Sequence, residues 1–230
     1  MRVLMYGLSL ALAVASAGAA TVAGKVGGKS YTITLPDGYC GLDEKIEAHR
    51  KLLEFARNGS KGSNELVAIA GTCAETADLA AGKVDALLAS YLVLSPIQTL
   101  GQDLSGSQSV ALERFCTDVR QSAGGGVGQA SIDYAQERAP GYFAKMGPGD
   151  LQPLGFYLGE LDACYSGFAN KRANKDGSAA NFVILNAMTA IKGVMFQIVQ
   201  TAPAAEKPDV KGALKALMSN VAANIAGNPG

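Results

Sequence analysis

The chain of 230 residues has no tryptophan, a single histidine and few aromatic residues, which make up 7% of the total. A core of this composition is built mainly from aliphatic side chains. With His49 as the one histidine, a metal site of mixed cysteine and histidine ligands is not expected. Neither sign of charge is in excess, since 20 Lys and Arg face 20 Asp and Glu. This balance gives no electrostatic reason to expect a nucleic acid or an anionic membrane as partner.

Short motifs that mark common catalytic sites are also missing. No G-x-S-x-G, H-E-x-x-H or S-x-x-K segment occurs, so His49 has no motif partner, and its place at the edge of an apolar helical stripe favours a packing role. Glu160 and Asp162 are close in sequence, but they lie in a predicted tight turn, where acidic residues are common. We therefore predict no catalytic residue, no cofactor and no metal site. A hydrolase that uses His49 is the alternative.

The first twenty residues have the three parts of a secretory signal peptide. Arg2 supplies a basic start, the apolar run 4–14 is too short to span a bilayer, and small residues follow over 15–20. A mitochondrial presequence would carry more arginine on an amphipathic helix. We predict that residues 1–20 are removed and that residues 21–230 form one exported domain, periplasmic or secreted in a bacterium, without insertion into a membrane.

Four cysteines lie in the predicted mature chain: Cys40, Cys73, Cys116 and Cys164. An even number in an exported protein predicts two disulfides, with three possible connectivities. Their separations of 33, 43 and 48 residues resemble neither a zinc site nor a C-x-x-C redox pair. We favour Cys40–Cys73, between the end of a strand and a strand–helix junction, which leaves Cys116–Cys164 to join a helix to the sheet. The alternative is a thiol enzyme, since a free Cys73 would begin a helix, where the pKa of a thiol falls.

Hydrophobic periodicity predicts a mixture of helices and strands. A T-x-x-E capping box at Thr72 begins one helix, and Ser131 begins another that we expect Pro140 to end. The glycine-rich segment 124–128 follows a helix and precedes no lysine, so it predicts a connector rather than a phosphate-binding loop. The predicted strands are 30–35, 66–71, 85–94, 154–158 and 163–169, and the other predicted helices are 43–58, 109–122 and 209–226.

The long apolar stretch 181–201 has two interpretations. It carries too many polar residues for a membrane helix, but a buried helix is compatible with its alanines and methionines. Its many β-branched residues flank Lys192-Gly193, a suitable place for a tight turn. We favour two antiparallel strands that turn there, at the centre of a sheet.

The order of these elements resembles the PsbP-like family. The resemblance depends on the opening LPDGYC, the meander GFYLGELDACYSGFANK, the segment NAMTAIKGVMFQIVQT and the helix from Asp209. It implies an α+β fold, with an antiparallel sheet sandwiched between helices, and here stapled by disulfides. It also implies binding or assembly rather than catalysis, because the family's known members act in that way. The four cysteines and the insertion 105–150 depart from the small members.

The sequence thus predicts an exported, non-catalytic binding or assembly-accessory protein whose partner is an unknown protein or small ligand. The alternatives are a periplasmic hydrolase or thiol-dependent enzyme that uses His49 or Cys73, and a small-ligand carrier. A basic patch of Lys171, Arg172 and Lys175 could bind an anion, although such a patch is more typical of a solvated loop.

Overall fold

The computed structural model describes residues 20–100, 108–123, 126–160, 163–173, 177–205 and 207–229. The predicted signal peptide, apart from Ala20, lies outside these ranges. The described strands are β1 (Thr21–Val26), β2 (Lys29–Thr34), β3 (Tyr39–Gly41), β4 (Asn64–Thr72), β5 (Ser90–Pro96), β6 (Gly126–Val127), β7 (Leu151–Glu160), β8 (Ala163–Ala173), β9 (Ala179–Ile191) and β10 (Val194–Pro203). The described α-helices are α1 (Glu47–Ser60), α2 (Cys73–Ala80), α3 (Gln108–Ala123), α4 (Gln129–Lys145) and α5 (Val210–Ala226).

One large sheet organises these elements and confirms the mixed α+β class. Its strand order is β3-β4-β5-β10-β9-β8-β7-β6, and all of its neighbours are antiparallel except β6 and β7. Helices α4 and α5 and the β1–β2 hairpin pack on one face, together with Tyr165 of β8. The preceding residue, Cys164, points to the opposite face, where α3 packs. No helix in the described ranges is long and apolar enough to cross a membrane.

The stretch 181–201 forms the predicted hairpin in the middle of the sheet. Strands β9 and β10 pair antiparallel from Val194↔Ile191 to Pro203↔Phe182. Lys192 and Gly193 form the two-residue turn with positive φ values of 51° and 72°. Such a turn matches the twist of the flanking strands, although it places a lysine in a conformation that glycine or asparagine adopts more readily. The packing of the two strands against the elements on both faces of the sheet therefore outweighs the helix propensity of the alanines in this stretch.

Helix α5 and the residues just after it hold the β1–β2 hairpin through three asparagines spaced four residues apart: Asn220 and Asn224 in the helix and Asn228 beyond its end. Nδ2 of Asn224 donates to the Thr34 carbonyl (2.9 Å), and its Oδ1 accepts from the Thr34 amide (2.8 Å). Asn228 makes the same pair of bonds to Thr32, at 2.8 and 2.9 Å. Each carboxamide takes the place of a neighbouring strand, so the outer edge of β2 has its backbone groups satisfied.

Tyr91 of β5 lies beneath this row of amides and is fully buried. Its hydroxyl donates to Oδ1 of Asn220, and the Asn224 amide lies 3.4 Å from it. Burial raises the pKa of Tyr91 well above the ordinary tyrosine range. The buried hydroxyl and amides thus form one polar network between the sheet and α5.

Both favoured disulfides are present. Cys40–Cys73 joins β3 to the start of α2 with a Cα–Cα distance of 4.8 Å, and Cys116–Cys164 joins α3 to β8 with a distance of 5.6 Å. Free cysteines are absent from the described chain. The bonds are consistent with an oxidising compartment. They close loops of 33 and 48 residues, and each contributes about 4 kcal/mol in the chain-entropy account.

Several predicted boundaries are wrong. Helix α4 continues through Pro140 to Lys145 rather than ending there; it gives up one backbone hydrogen bond, while Ala139 and Phe143 are buried against the sheet on either side. Helix α1 likewise runs through Gly59 to Ser60, beyond the predicted end at Asn58. Residues 85–89 are irregular rather than strand, and part of the glycine-rich connector forms β6. Strands β1 and β3 were not predicted.

Candidate functional site: a cleft beside the first helix

His49 lies on the inner side of α1, 4% exposed, and both of its ring nitrogens bond to backbone. Nδ1 accepts a hydrogen bond from the Asp43 amide (3.0 Å). Nε2 lies 2.9 Å from the Thr76 carbonyl, so it carries the proton and donates. The ring thereby joins the entry of α1 to α2, and in this arrangement it has no nitrogen left to take a proton from a substrate.

Cys73 has a structural position too. It begins α2 behind the predicted capping box, in which the Thr72 hydroxyl accepts from the Glu75 amide (3.2 Å), and its sulfur is bonded to Cys40. A thiolate is therefore not available at this helix end. Neither residue named for the enzyme alternatives presents a reactive group to solvent.

The capping carboxylate has a second role that the sequence did not reveal. Oε1 of Glu75 accepts hydrogen bonds from the amides of Leu88 (3.0 Å) and Ala89 (3.3 Å). These bonds fix the irregular segment after α2 against the helix that precedes it. As a result Leu87 is turned inward, 8% exposed, over Gly71 of β4.

A cleft of about 450 Å³ opens between α1 and the sheet face that also carries α3. We call it the α1 cleft. Its lining is mostly apolar and comes from α1, from the segment before β5, from β4 and β5, and from the end of β8. The lining residues are Leu52, Phe55, Ala56, Gly59, Ser60, Ser63, Asn64, Ile69, Ala86, Leu87, Ser90, Leu92, Leu94 and Arg172.

The floor of the α1 cleft consists of β-strand side chains. Tyr91 and Val93 of β5 point into the opposite core, so the alternating residues Ser90, Leu92 and Leu94 face the cleft. Leu92 and Leu94 are only partly buried, although β5 is an interior strand of the sheet. Leu94 lies four residue steps along the strand from Ser90, so this floor is about 13 Å long.

The exposed face continues from β5 onto its neighbour β10. Val199 lies opposite Leu92, and Gln197 lies opposite Leu94; both side chains are partly exposed. Helix α1 packs on β4, whereas α3 packs on β7, β8 and β9. The two helices of this face thus stand apart, and the described part of the chain leaves a partly exposed strip of sheet between them.

Phe55 stands at the rim of the cleft. Its side chain is 75% exposed, the highest value among the exposed large apolar residues of the described chain. It lies on α1 beside Leu52, which turns toward the sheet. Leu88, 51% exposed, lies on the segment that supplies Ala86 and Leu87 to the lining. Large apolar groups at the edge of a concave surface are typical of binding sites.

Among the described residues of this lining, Arg172 is the only charged one. Its guanidinium carbon lies 4.5 Å from the ring centre of Phe182, and its Nε donates to Oδ1 of Asn170 (3.0 Å). Asn170 in turn donates to the Asp150 carbonyl (3.0 Å). The guanidinium is therefore oriented by a ring on one side and by an amide behind it.

The predicted basic patch is divided by the sheet. Lys171 belongs to the other face, where its Nζ lies 3.3 Å from the Phe143 carbonyl of α4. Lys175 lies outside the described residues, as do Asp162 and the side chain of Glu160. Of the two described basic residues, Lys171 and Arg172, Arg172 is the one that lines the α1 cleft.

A second depression of about 590 Å³ lies beyond the C-terminal end of α1 and shares Ser60 and Asn64 with the cleft. Its lining carries both signs of charge, from Arg57, Lys61 and Glu65. Arg57 is paired with Glu44. This second depression therefore lacks the continuous apolar surface of the α1 cleft.

The sequence alone could not find the α1 cleft, because its lining comes from residues between 52 and 172 that only the sheet brings together. The available signal was the segment SYLVLS, in which Leu92 and Leu94 alternate with Tyr91 and Val93, so that both faces of the strand carry apolar side chains. In the described ranges no group of three or more His, Cys, Asp or Glu side chains is placed to hold a metal ion. No protein-family model, no curated protein and no solved structure matches this chain.

Proposed function

We propose that this protein is an exported, non-catalytic binding protein that takes an apolar ligand in the α1 cleft. The observation that carries the proposal is the partly exposed apolar floor formed by Leu92 and Leu94 on an interior strand. The face that an antiparallel sheet leaves to water usually carries polar side chains, whereas here it carries leucines, and a concave apolar site with few polar groups is the usual form of a ligand pocket. His49 and the four cysteines support the non-catalytic part, because their polar atoms hold the fold together.

The proposal also covers the fold family and the location of the protein. We propose a PsbP-like arrangement of the sandwich, on the strength of helices on both faces of a mostly antiparallel sheet and the closing helix α5. We propose a bacterial periplasmic or extracellular location, which the two disulfides support. Export would follow from the signal-like residues 1–20.

The test uses N-phenyl-1-naphthylamine, a neutral apolar dye whose fluorescence increases on transfer from water to an apolar site. The mature chain should bind it saturably with one site per molecule. Leu92→Gln places an amide on the cleft floor, and Leu151→Gln makes the same change at a side chain that is 55% exposed outside the cleft. We expect the first variant to weaken binding about tenfold, because one apolar contact and one unpaired amide are worth roughly 1–3 kcal/mol.

Phe55→Ala is a second variant, and its fold should be unaffected because Phe55 is mostly exposed. It should weaken the dye several-fold, whereas Tyr134→Ala, which removes a side chain that is 49% exposed on α4, should not. Far-UV circular dichroism of every variant separates lost binding from lost structure. Saturable dye binding that Leu92→Gln and Leu151→Gln leave equally strong would contradict the proposal.

A further inference from the structure

We infer that the ligand of the α1 cleft is an alkyl carboxylate, with its chain along the strand floor and its carboxylate on Arg172. The inference rests on the proposed function and names its ligand class. It follows from the distribution of charge and apolar surface within one cleft.

The first step concerns charge. Among the described residues, the lining contains one arginine and no Asp or Glu; its other described polar residues are serines and an asparagine. A cleft with one fixed positive charge in an otherwise neutral, mostly apolar described wall attracts a group with one negative charge. A neutral ligand would leave the guanidinium without a counter-charge from this described part of the lining.

The second step concerns the geometry of the guanidinium. Within the described chain Nε is the nitrogen that bonds, to Asn170, while the Phe182 ring covers one face of the group. Nη1 and Nη2 remain for a partner, and they present the parallel N–H donors that match the two oxygens of a carboxylate. Because Asn170 is itself held by the Asp150 carbonyl, part of the ordering cost is met before the ligand arrives.

The third step concerns the apolar part. The floor formed by Ser90, Leu92 and Leu94 is about 13 Å long. The wall of Leu52 and Phe55 runs along one side of it. Ser90 pairs with Thr201, Thr201 pairs with Ile184, and Ile184 pairs with Phe168 of β8. Arg172 lies four residues beyond Phe168, on the side away from Leu94, so it lies toward the Ser90 end of the floor. A linear chain with a charged end fits this shape, with its methyl end toward Leu94.

The experiment displaces bound N-phenyl-1-naphthylamine with three ligands that share a ten-carbon chain: decanoate, decanol and decyltrimethylammonium. All are used below the concentrations at which they form micelles. Decanoate should displace the dye at a concentration at least tenfold lower than decanol does, because a charge-assisted bidentate pair forms with Arg172. The cationic ligand should be the weakest of the three. Octanoate should be weaker than decanoate by about fifteenfold, since each buried methylene tightens binding roughly fourfold.

Variants of Arg172 locate the effect. Arg172→Gln should weaken decanoate about tenfold more than it weakens decanol or the dye. Arg172→Lys should recover part of the loss, because a lysine keeps the charge but not the paired donors. Arg50→Gln is the matched control, since Arg50 lies on the exposed side of α1 beside Glu54 and should change nothing.

The results separate this inference from the function on which it rests. If neither the dye nor decanol binds, the proposed function fails and the inference fails with it. If the dye binds but decanoate, decanol and the cation displace it equally, the cleft binds apolar ligands and the carboxylate inference alone is wrong. Equal weakening of decanoate and decanol by Arg172→Gln would also refute it, because Arg172 would then act by packing on Phe182.

Discussion

Asn224 is the residue whose removal tests the fold most directly. It is fully buried on α5, and its carboxamide makes two hydrogen bonds to the backbone of Thr34. Replacement by alanine removes the only described partner of the Thr34 amide, whereas the Thr34 carbonyl keeps the Asn220 amide at 3.0 Å. An orphaned, partly buried N–H costs about 1–3 kcal/mol. The better helix propensity of alanine returns about 0.5 kcal/mol. We therefore expect a net loss of about 2 kcal/mol.

The assay is equilibrium urea unfolding followed by far-UV circular dichroism, combined with amide hydrogen exchange of peptides from β2 and from β9–β10. Under native conditions the peptide over 29–34 should exchange about 30-fold faster in Asn224→Ala, since each 1.4 kcal/mol is a factor of ten. Ser219→Ala, on the exposed side of the same helix, is the control. Unchanged exchange of the β2 peptide together with a stability loss below about 0.5 kcal/mol would refute the role of the amide.

Three further predictions concern other buried groups. Tyr91→Phe should cost about 1 kcal/mol at about pH 8, because it removes a buried hydrogen bond. The folded-state pKa of Tyr91 lies above its unfolded value of about 10, so the stabilisation is present below that pH and is lost as pH rises above it. Urea midpoints of the variant should thus fall less than those of the native protein between about pH 8 and about pH 11; a parallel fall would contradict the reasoning. His49→Ala should lower the free energy of unfolding by about 2 kcal/mol, because two backbone groups lose a partner; an unchanged urea midpoint would remove the packing role. Cys116→Ala combined with Cys164→Ala should lower it by about 4 kcal/mol, and a thermal melt that matches the native protein would show that the bond adds nothing.

Local patterns in the sequence predicted the elements whose signals are local. The capping box at Thr72, the stripe of α5 and the β-branched residues around Lys192-Gly193 depend on spacing within one segment, and the structure confirms all three. The pairing of cysteines was also within reach, because it followed from which elements the four residues occupied. Pro140 was misread because burial of its neighbours outweighs one missing backbone hydrogen bond, and burial is not visible in a local pattern.

The candidate site was beyond sequence reasoning for a physical reason. The sequence marked Arg172 as one of three basic residues. The residues next to it, Lys171 and Ala173, do not indicate which face of the sheet the Arg172 side chain lies on. Its contact with the cleft depends on the register of four strands, and a shift by one residue would turn it to the other face. The amides of α5 were overlooked for a similar reason: their partners are backbone groups almost the whole chain away.

That distance has a consequence for how the molecule is completed. The hydrogen bonds from β2 to α5 and to Asn228 just after it join residues 186 to 196 positions apart, so the β1–β2 hairpin gains these partners only when α5 folds. Until then Tyr31 and Ile33, which are buried in the finished protein, have only part of their packing surface. The β1–β2 hairpin therefore reaches its native packing only after α5 has been synthesised and has folded against it. Removal of residues 224–228 would leave the backbone groups of Thr32 and the amide of Thr34 without these partners.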